Sequence, residues 1–408
     1  MGLTLITSDE SQRLQMNRRL GPFEHLLWLV DQWTPRHFVL VARVEGGPIS
    51  ARDMSLALVQ VQRRHPILRT SIGVNGGSPE FMPCDGDIAL RIVPRISGTE
   101  WLYEVEMELA LPFENSDQPL LRAVLVQGEA ISELILVVHH SIGDGISAMF
   151  LVRDLLESVE GHSLKKLPPR IALEEFLGSG VTTVTDPPAP SVSPGAKRIE
   201  RPQKGLLQVF EIGPIELRRI LDRSRNEGTT FQGALLASLL LSTREDDTVQ
   251  CLAPINVRRI VPAVSDDFGL YISSGLATLD RNSPMDFWSL ARTARAQILQ
   301  AFEPVALHSK AAAIASVLAA NPSPQAVYEK VWRSGSYNSV LTNLGRFPET
   351  PKLKRYSITG AYAFLSPELE PVVAVATSGQ RACITVSSPL SFARSSAQFF
   401  ELLKQQTR

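Results

Sequence analysis

Apolar positions recur with two different periods along this chain, and those periods predict its strands and helices. The continuous run Leu134-Ile135-Leu136-Val137-Val138 predicts a buried strand over residues 133–139. Directly after it, apolar residues at helical spacing predict a helix over residues 145–159. The other helices of the first half are predicted over residues 23–33, 50–64 and 100–109, and its other strands over 37–44, 68–74 and 120–126.

The second half has a similar mixture of the two patterns. Thr229-Thr230-Phe231-Gln232 is typical of a capping box and predicts the start of an apolar helix that ends near Thr243. Further helices are predicted over residues 214–226, 284–302, 309–319 and 391–404. Strands are predicted over residues 206–212, 248–256, 271–279, 336–341, 357–363, 372–377 and 382–386.

A proline-rich stretch separates the two halves. Its prolines lie among serine, threonine and glycine, at Pro187, Pro188, Pro190, Pro194 and Pro202. This composition is typical of an extended surface linker. We therefore predict an amino-terminal lobe over residues 1–180, a linker over 181–204 and a carboxy-terminal lobe over 205–408. Because each lobe mixes helices with strands, the predicted fold class is α/β (α+β), with a mixed sheet in each lobe.

Composition narrows the class of protein. A chain of 408 residues exceeds the usual size of one core, which agrees with two lobes. The 41 basic and 42 acidic residues nearly cancel, so no nucleic-acid partner is expected. Three isolated cysteines favour reduced thiols in the cytoplasm, and neither a disulfide framework nor a metal site is expected. No signal peptide or transmembrane segment is expected either.

The strand over 133–139 ends in an adjacent histidine pair, His139-His140. With 7 histidines in the chain, chance alone predicts only about 0.12 such pairs. An imidazole is mostly neutral near pH 7 and can act as a general base. Because side chains alternate along a strand, the two rings should face opposite ways. We predict that His140 is catalytic and that His139 is structural.

The residues after the pair suit a turn into a helix. Gly143 and Gly145 permit close approach of the backbone to a ligand, and the Gly145 N–H is a candidate oxyanion donor. Asp144 between them could cap the helix. The sequence has no serine nucleophile elbow, so we expect direct acyl transfer without an acyl-enzyme.

The pattern His139-His140-x-x-x-Asp144-Gly145 resembles the signature of the condensation-domain and chloramphenicol acetyltransferase-fold acyltransferase superfamily. The segments at residues 63–69 and 254–258 resemble two further conserved segments of that family. Residues 20–24 and 341–345 are most similar to the stand-alone phthiocerol/phthiodiolone dimycocerosyl transferases and related alcohol acyltransferases. The resemblance implies two lobes that form a V around a central tunnel.

The resemblance also assigns roles to residues. It implies that His140 lies at the centre of the tunnel and that Asp144 organises the loop by pairing with Arg258, or with Arg259. Ser141, Gly143, Asn343 and Gly345 are candidate substrate-binding positions, although Asn343 and Gly345 also describe a simple strand-end turn.

The expected reaction is transfer of an acyl group from a pantetheine thioester to an acceptor hydroxyl in lipid, polyketide or nonribosomal-peptide secondary metabolism. The donor would be an acyl carrier protein or coenzyme A, the acceptor a small alcohol or amine, and no tightly bound cofactor or metal is expected. Three alternatives stay open: amide formation, hydrolysis with water as the acceptor, and a relative that binds acyl chains or carriers without catalysis.

Overall fold

A computed structural model describes most of the chain. The described residues are 17–113, 118–177, 206–243, 246–261, 266–283, 285–332, 337–366, 370–389 and 393–406. The predicted linker over 181–204 lies outside them, so the division into lobes and linker stays a prediction.

The first half contains strands and helices in alternation. The strands are β1 (Arg18–Arg19), β2 (His37–Glu45), β3 (Thr70–Asn75), β4 (Ser78–Pro83), β5 (Ala89–Pro94), β6 (Leu121–Gln127) and β7 (Ile131–His139). The helices are α1 (Pro22–Asp31), α2 (Ala51–Arg64), α3 (Glu100–Ala110), α4 (Gly145–Val159) and α5 (Leu173–Leu177), with a 3₁₀ turn at Pro66–Arg69.

The second half continues this mixture. Its strands are β8 (Leu206–Ile212), β9 (Thr248–Asn256), β10 (Ile272–Asp280), β11 (Ser339–Arg346), β12 (Ser357–Leu365), β13 (Val372–Ser378) and β14 (Arg381–Ser388). Its helices are α6 (Pro214–Asn226), α7 (Phe231–Ser242), α8 (Phe287–Gln300), α9 (Pro304–Ala319), α10 (Pro324–Val327) and α11 (Ala393–Gln405), with a π-helical turn at Tyr328–Trp332. None of the described helices is long and apolar enough to cross a membrane.

The strands form mixed sheets. A five-stranded sheet has the order β12-β2-β7-β6-β5, and a six-stranded sheet has the order β10-β9-β11-β13-β14-β8. β5 runs parallel to β6, and β11 runs parallel to both β9 and β13, whereas the other pairs within these two sheets are antiparallel. The predicted fold class, a mixed α/β architecture, is confirmed.

β12 crosses from the second half into the sheet of the first half. It pairs antiparallel with β2, from Ser357 opposite Glu45 to Leu365 opposite Phe38. The apolar core around this sheet also takes in Phe268 and Leu344. Residues from both halves therefore close one core, and this core reaches the end of β7.

Some predicted elements differ from the structure. The strand predicted over residues 68–74 begins only at Thr70, because Pro66 starts a 3₁₀ turn in which the Leu68 N–H donates to the His65 carbonyl at 3.0 Å. The helix predicted from residue 309 begins a turn and a half earlier, at Pro304, where proline suits the first helical position. The sequence does not predict β1, β4, β5, α5 or α10, since short elements carry little periodic signal.

Candidate active site

The histidine pair lies where β7 turns into α4. β7 ends at His139, and the extended Asp144 backbone (φ −119°, ψ 173°) starts the helix. The Asp144 carboxylate accepts the Ser147 N–H at 2.8 Å, which caps α4. Residues 140–143 thus form a short turn that is fixed at both ends by regular structure.

His140 is held in one orientation. Its Nδ1 lies 3.0 Å from the Gly143 carbonyl oxygen, and its ring meets the Phe38 ring edge-on with the centroids 5.0 Å apart. Because a carbonyl only accepts, Nδ1 carries the proton and Nε2 keeps its lone pair. Burial lowers the pKa of His140 below the ordinary 6.5, although the Gly143 contact opposes this. The residue as a whole is half-buried.

His139 faces a different environment. It is only 3% exposed, and its Nε2 lies 3.2 Å from a carboxylate oxygen of Asp31. Its Nδ1 accepts the Ser141 N–H at 3.2 Å. Both ring nitrogens are therefore engaged within the protein.

Asp144 and Arg258 form a buried ion pair. The two terminal nitrogens of the guanidinium each lie 3.0 Å from a carboxylate oxygen of Asp144, and the residues are 1% and 7% exposed. The Tyr271 N–H also donates to Asp144, at 2.8 Å. The same carboxylate is therefore both the cap of α4 and the partner of Arg258, so both alternatives left open by the sequence are realised together.

The segment that precedes β10 packs against the start of α4. The Ser147 hydroxyl donates to the Gly269 carbonyl at 2.6 Å and accepts the Gly269 N–H at 3.0 Å. Arg258 donates to the same hydroxyl at 2.6 Å. Farther along α4, Arg153 pairs with Asp266 at 2.9 Å. These contacts fasten the second half to the helix that follows the histidine pair.

The two glycines of the motif allow close packing by the second half. An added Cβ at Gly143 would lie 2.6 Å from the Phe268 ring, and one at Gly145 would lie 2.3 Å from a methyl group of Leu344. A side chain at either position would push these neighbours away.

Asn343 and Gly345 lie in a bulge of β11 on either side of Leu344. The Asn343 side chain accepts the Gly345 N–H at 2.9 Å, and Gly345 has φ +76°. They are linked to the motif through Leu344, which packs on Gly145. Ser141 is fully buried, and its hydroxyl has no hydrogen-bond partner among the described residues. Substrate roles for these three positions stay predictions.

Sequence reasoning missed several residues that shape the site. Four of them contact the histidine motif directly or through one partner residue: Phe38, Asp31, Ser147 and Leu344. Phe38, Asp31 and Leu344 are far from the motif in sequence, and none of these three has a spacing that marks it. Ser147 carried a usable signal, since it is the third residue after the capping aspartate.

Within the ranges that the structure describes, no three His, Cys, Asp or Glu side chains come together so that they could hold a metal ion. The residues around His140 instead offer a lone pair, backbone groups and aromatic surface.

Comparison with curated proteins gives relatives over about a third of the chain. Phosphinothricin tripeptide synthetase PhsC of Streptomyces viridochromogenes is 31% identical over 160 residues, which are 36% of this chain and 15% of that protein. Gramicidin S synthase 2 of Aneurinibacillus migulanus is 30% identical over 131 residues, which are 32% of this chain and 3% of that protein. The chain thus spans a small part of the length of these relatives. No family model matches.

Solved structures match nearly the whole chain. The condensation domain of the Monacolin K polyketide synthase MokA superposes with a TM-score of 0.66 at 15% identity and covers 96% of both chains. This chain has the condensation-domain fold. The trichothecene 15-O-acetyltransferase of Fusarium sporotrichioides has a TM-score of 0.68 at 12% identity, over 96% of this chain and 95% of that one.

A third match to this condensation-domain fold is polyketide synthase associated protein 5 of Mycobacterium tuberculosis. It has a TM-score of 0.63 at 15% identity and covers 96% of this chain and 98% of that one. The resemblance to the condensation-domain and chloramphenicol acetyltransferase-fold superfamily, inferred from the histidine motif, is confirmed at the level of the fold.

Proposed function

We propose that this protein is an acyltransferase in which His140 removes a proton from an acceptor hydroxyl so that the oxygen attacks a thioester carbonyl. The observation that carries this proposal is the 3.0 Å contact between His140 Nδ1 and the Gly143 carbonyl. That contact fixes the tautomer in which Nε2 is the proton acceptor. The lowered pKa keeps this nitrogen unprotonated at neutral pH.

The reaction balances without another reagent. Nε2 takes the hydroxyl proton while the oxygen forms a bond to the thioester carbon. The tetrahedral intermediate then expels the thiolate as the carbon–sulfur bond breaks, and the imidazolium returns its proton to that sulfur. The products are an ester and a free thiol, and His140 is regenerated.

The loop supplies the other elements of this mechanism. Gly145 is the first residue of α4, and the first N–H groups of a helix have no acceptor within it. We assign its N–H to the developing oxyanion. Asp144 and Arg258 stabilise the loop through their ion pair and do not transfer protons in this mechanism. The donor is an acyl thioester of coenzyme A or of a carrier protein, which acts as a substrate.

Amide formation is the second candidate. The relative with 31% identity is named as a tripeptide synthetase. The solved structure from Fusarium sporotrichioides, which matches over 96% of this chain, is named as an O-acetyltransferase. This structural match favours ester formation, as does the sequence resemblance to the stand-alone alcohol acyltransferases.

The proposal is tested by measuring turnover with a mass spectrometer. The protein is given a panel of acyl-coenzyme A and acyl-carrier thioesters as donors and pooled alcohols and amines as acceptors. We expect ester product from the intact chain and none above background from His140→Ala. His308→Ala is the matched control and should keep activity. It changes a half-buried histidine on α9 whose ring nitrogens lie 2.6 Å from the Pro304 and Leu177 carbonyl oxygens, outside the motif. Amide product would support the second candidate, and free acid would indicate hydrolysis. Equal turnover by His140→Ala would contradict the role of His140.

A further inference from the structure

Asp31, the last residue of α1, connects that helix to the histidine pair. One carboxylate oxygen lies 3.2 Å from His139 Nε2, and the other accepts the Arg36 N–H at 2.5 Å. Both oxygens are thus used as acceptors. Burial by itself would raise the pKa of Asp31, but the contacts with His139 and Arg36 outweigh this effect and lower the pKa below its ordinary value. The carboxyl group is therefore ionised at neutral pH.

The contacts of His139 determine where its proton lies. The Ser141 N–H can only donate, and it points at His139 Nδ1 at 3.2 Å. Nδ1 therefore has a free lone pair, and the proton is on Nε2, where it is donated to Asp31. The opposite tautomer would place two donors against each other at Nδ1.

This arrangement acts on His140 through the backbone. The Ser141 N–H belongs to the peptide group that directly follows His140, so His139 fixes the orientation of that peptide. The Gly143 carbonyl fixes the His140 ring from the other side. A second backbone contact, from the Ile142 N–H to the His139 carbonyl at 3.1 Å, closes the turn.

We propose that Asp31 is a positioning residue for the site: it holds His139 as the Nε2–H tautomer, and His139 in turn holds the peptide that carries His140. The inference rests on the proposed function for its consequence in turnover, although the tautomer itself does not depend on any activity. Asp31 is not part of the histidine motif and precedes that motif by more than a hundred residues.

Asp31→Asn separates this role from simple packing because it keeps the size of the side chain. The amide has one acceptor oxygen and one NH₂ group. If the oxygen still accepts the Arg36 N–H, the NH₂ group faces His139 Nε2, which must then give up its proton. His139 would become the Nδ1–H tautomer and lose the Ser141 N–H contact.

The test is long-range ¹H–¹⁵N NMR of the histidine rings in the full chain, for the unchanged protein and for Asp31→Asn. We expect His139 to carry its proton on Nε2 in the former and on Nδ1 in the latter. Turnover of the variant should fall by about 10²-fold in kcat with KM little changed, since a misplaced base affects the chemical step. Asp222→Asn, which removes an exposed carboxylate on α6, is the matched control.

Three results would overturn the proposal: a proton on Nδ1 of His139 in the unchanged protein, an unaltered tautomer in Asp31→Asn, or an altered tautomer with full kcat in a chain that shows transfer. The first needs no variant, so it decides the question even if Asp31→Asn fails to fold. Asp31→Glu keeps two acceptor oxygens, and partial recovery of kcat with the Nε2–H tautomer would support the proposal. If the unchanged chain transfers no acyl group while the tautomers behave as expected, the proposed function fails but the link between Asp31 and His139 stands.

Discussion

Arg258 meets Asp144 with two parallel hydrogen bonds of 3.0 Å, although 114 residues separate them in the chain. This bidentate geometry is the strong form of an arginine–carboxylate contact. Because Asp144 also caps α4 through Ser147, the pair ties the start of that helix to the second half of the protein. His140 lies in the turn that this contact holds in place.

Arg258→Ala is expected to destabilise the protein by about 3–5 kcal/mol, because it leaves the buried Asp144 charge without its partner. Urea denaturation monitored by circular dichroism measures the free energy of unfolding of the variant and of the unchanged protein. The double variant Asp144→Asn with Arg258→Ala should be more stable than Arg258→Ala alone, since asparagine still caps a helix and carries no charge. A double variant that is as unstable as the single one would contradict the buried-charge explanation.

The pH dependence of transfer should follow His140. Its pKa is lowered below 6.5 by burial, so the neutral ring required of a base is present above that lowered value. We expect kcat/KM to be level near pH 7 and to fall only as the pH decreases through a midpoint below 6.5. Rates measured between pH 5 and 8 test this. A midpoint above 6.5 would show that another group controls the step.

Gly143→Ala is expected to destabilise the protein by about 1–3 kcal/mol and to reduce turnover. Its new Cβ would lie 2.6 Å from the Phe268 ring, so either the turn or that ring must move. Thermal unfolding and turnover are the measurements. Gly213→Ala is the control, because an added Cβ there meets nothing within 4 Å. Combining Gly143→Ala with Phe268→Leu should recover part of the loss, and no recovery would indicate a different cause.

His37 should make the protein less stable in acid. Burial lowers its pKa to about 4, whereas in the unfolded chain it takes up a proton below its ordinary 6.5. The unfolded state thus binds more protons as the pH falls from 6.5 to 4, so this residue's contribution to stability decreases by about 3 kcal/mol. His37→Gln does not titrate, and its free energy of unfolding should fall less between pH 7 and 4.5. Equal losses would contradict the prediction.

The local features of the site were predictable from sequence. The apolar run that ends at His139 and the helical spacing from Gly145 onward marked the junction between β7 and α4, because both patterns are contained in a few consecutive residues. A capping role for Asp144 followed from its position at the start of the helix. The mixture of helices and strands, and hence the fold class, followed from the same periodic patterns.

The tertiary structure decided which distant residues complete the site. The sequence offered Arg258 or Arg259 as partners of Asp144 only through a family resemblance, and the structure places Arg258 there. The contact of Asp31 with His139, the packing of Leu344 on Gly145 and the pairing of β12 with β2 had no sequence signal. These contacts depend on strand register and on how the two halves pack, and residues more than a hundred positions apart leave no local pattern of such packing.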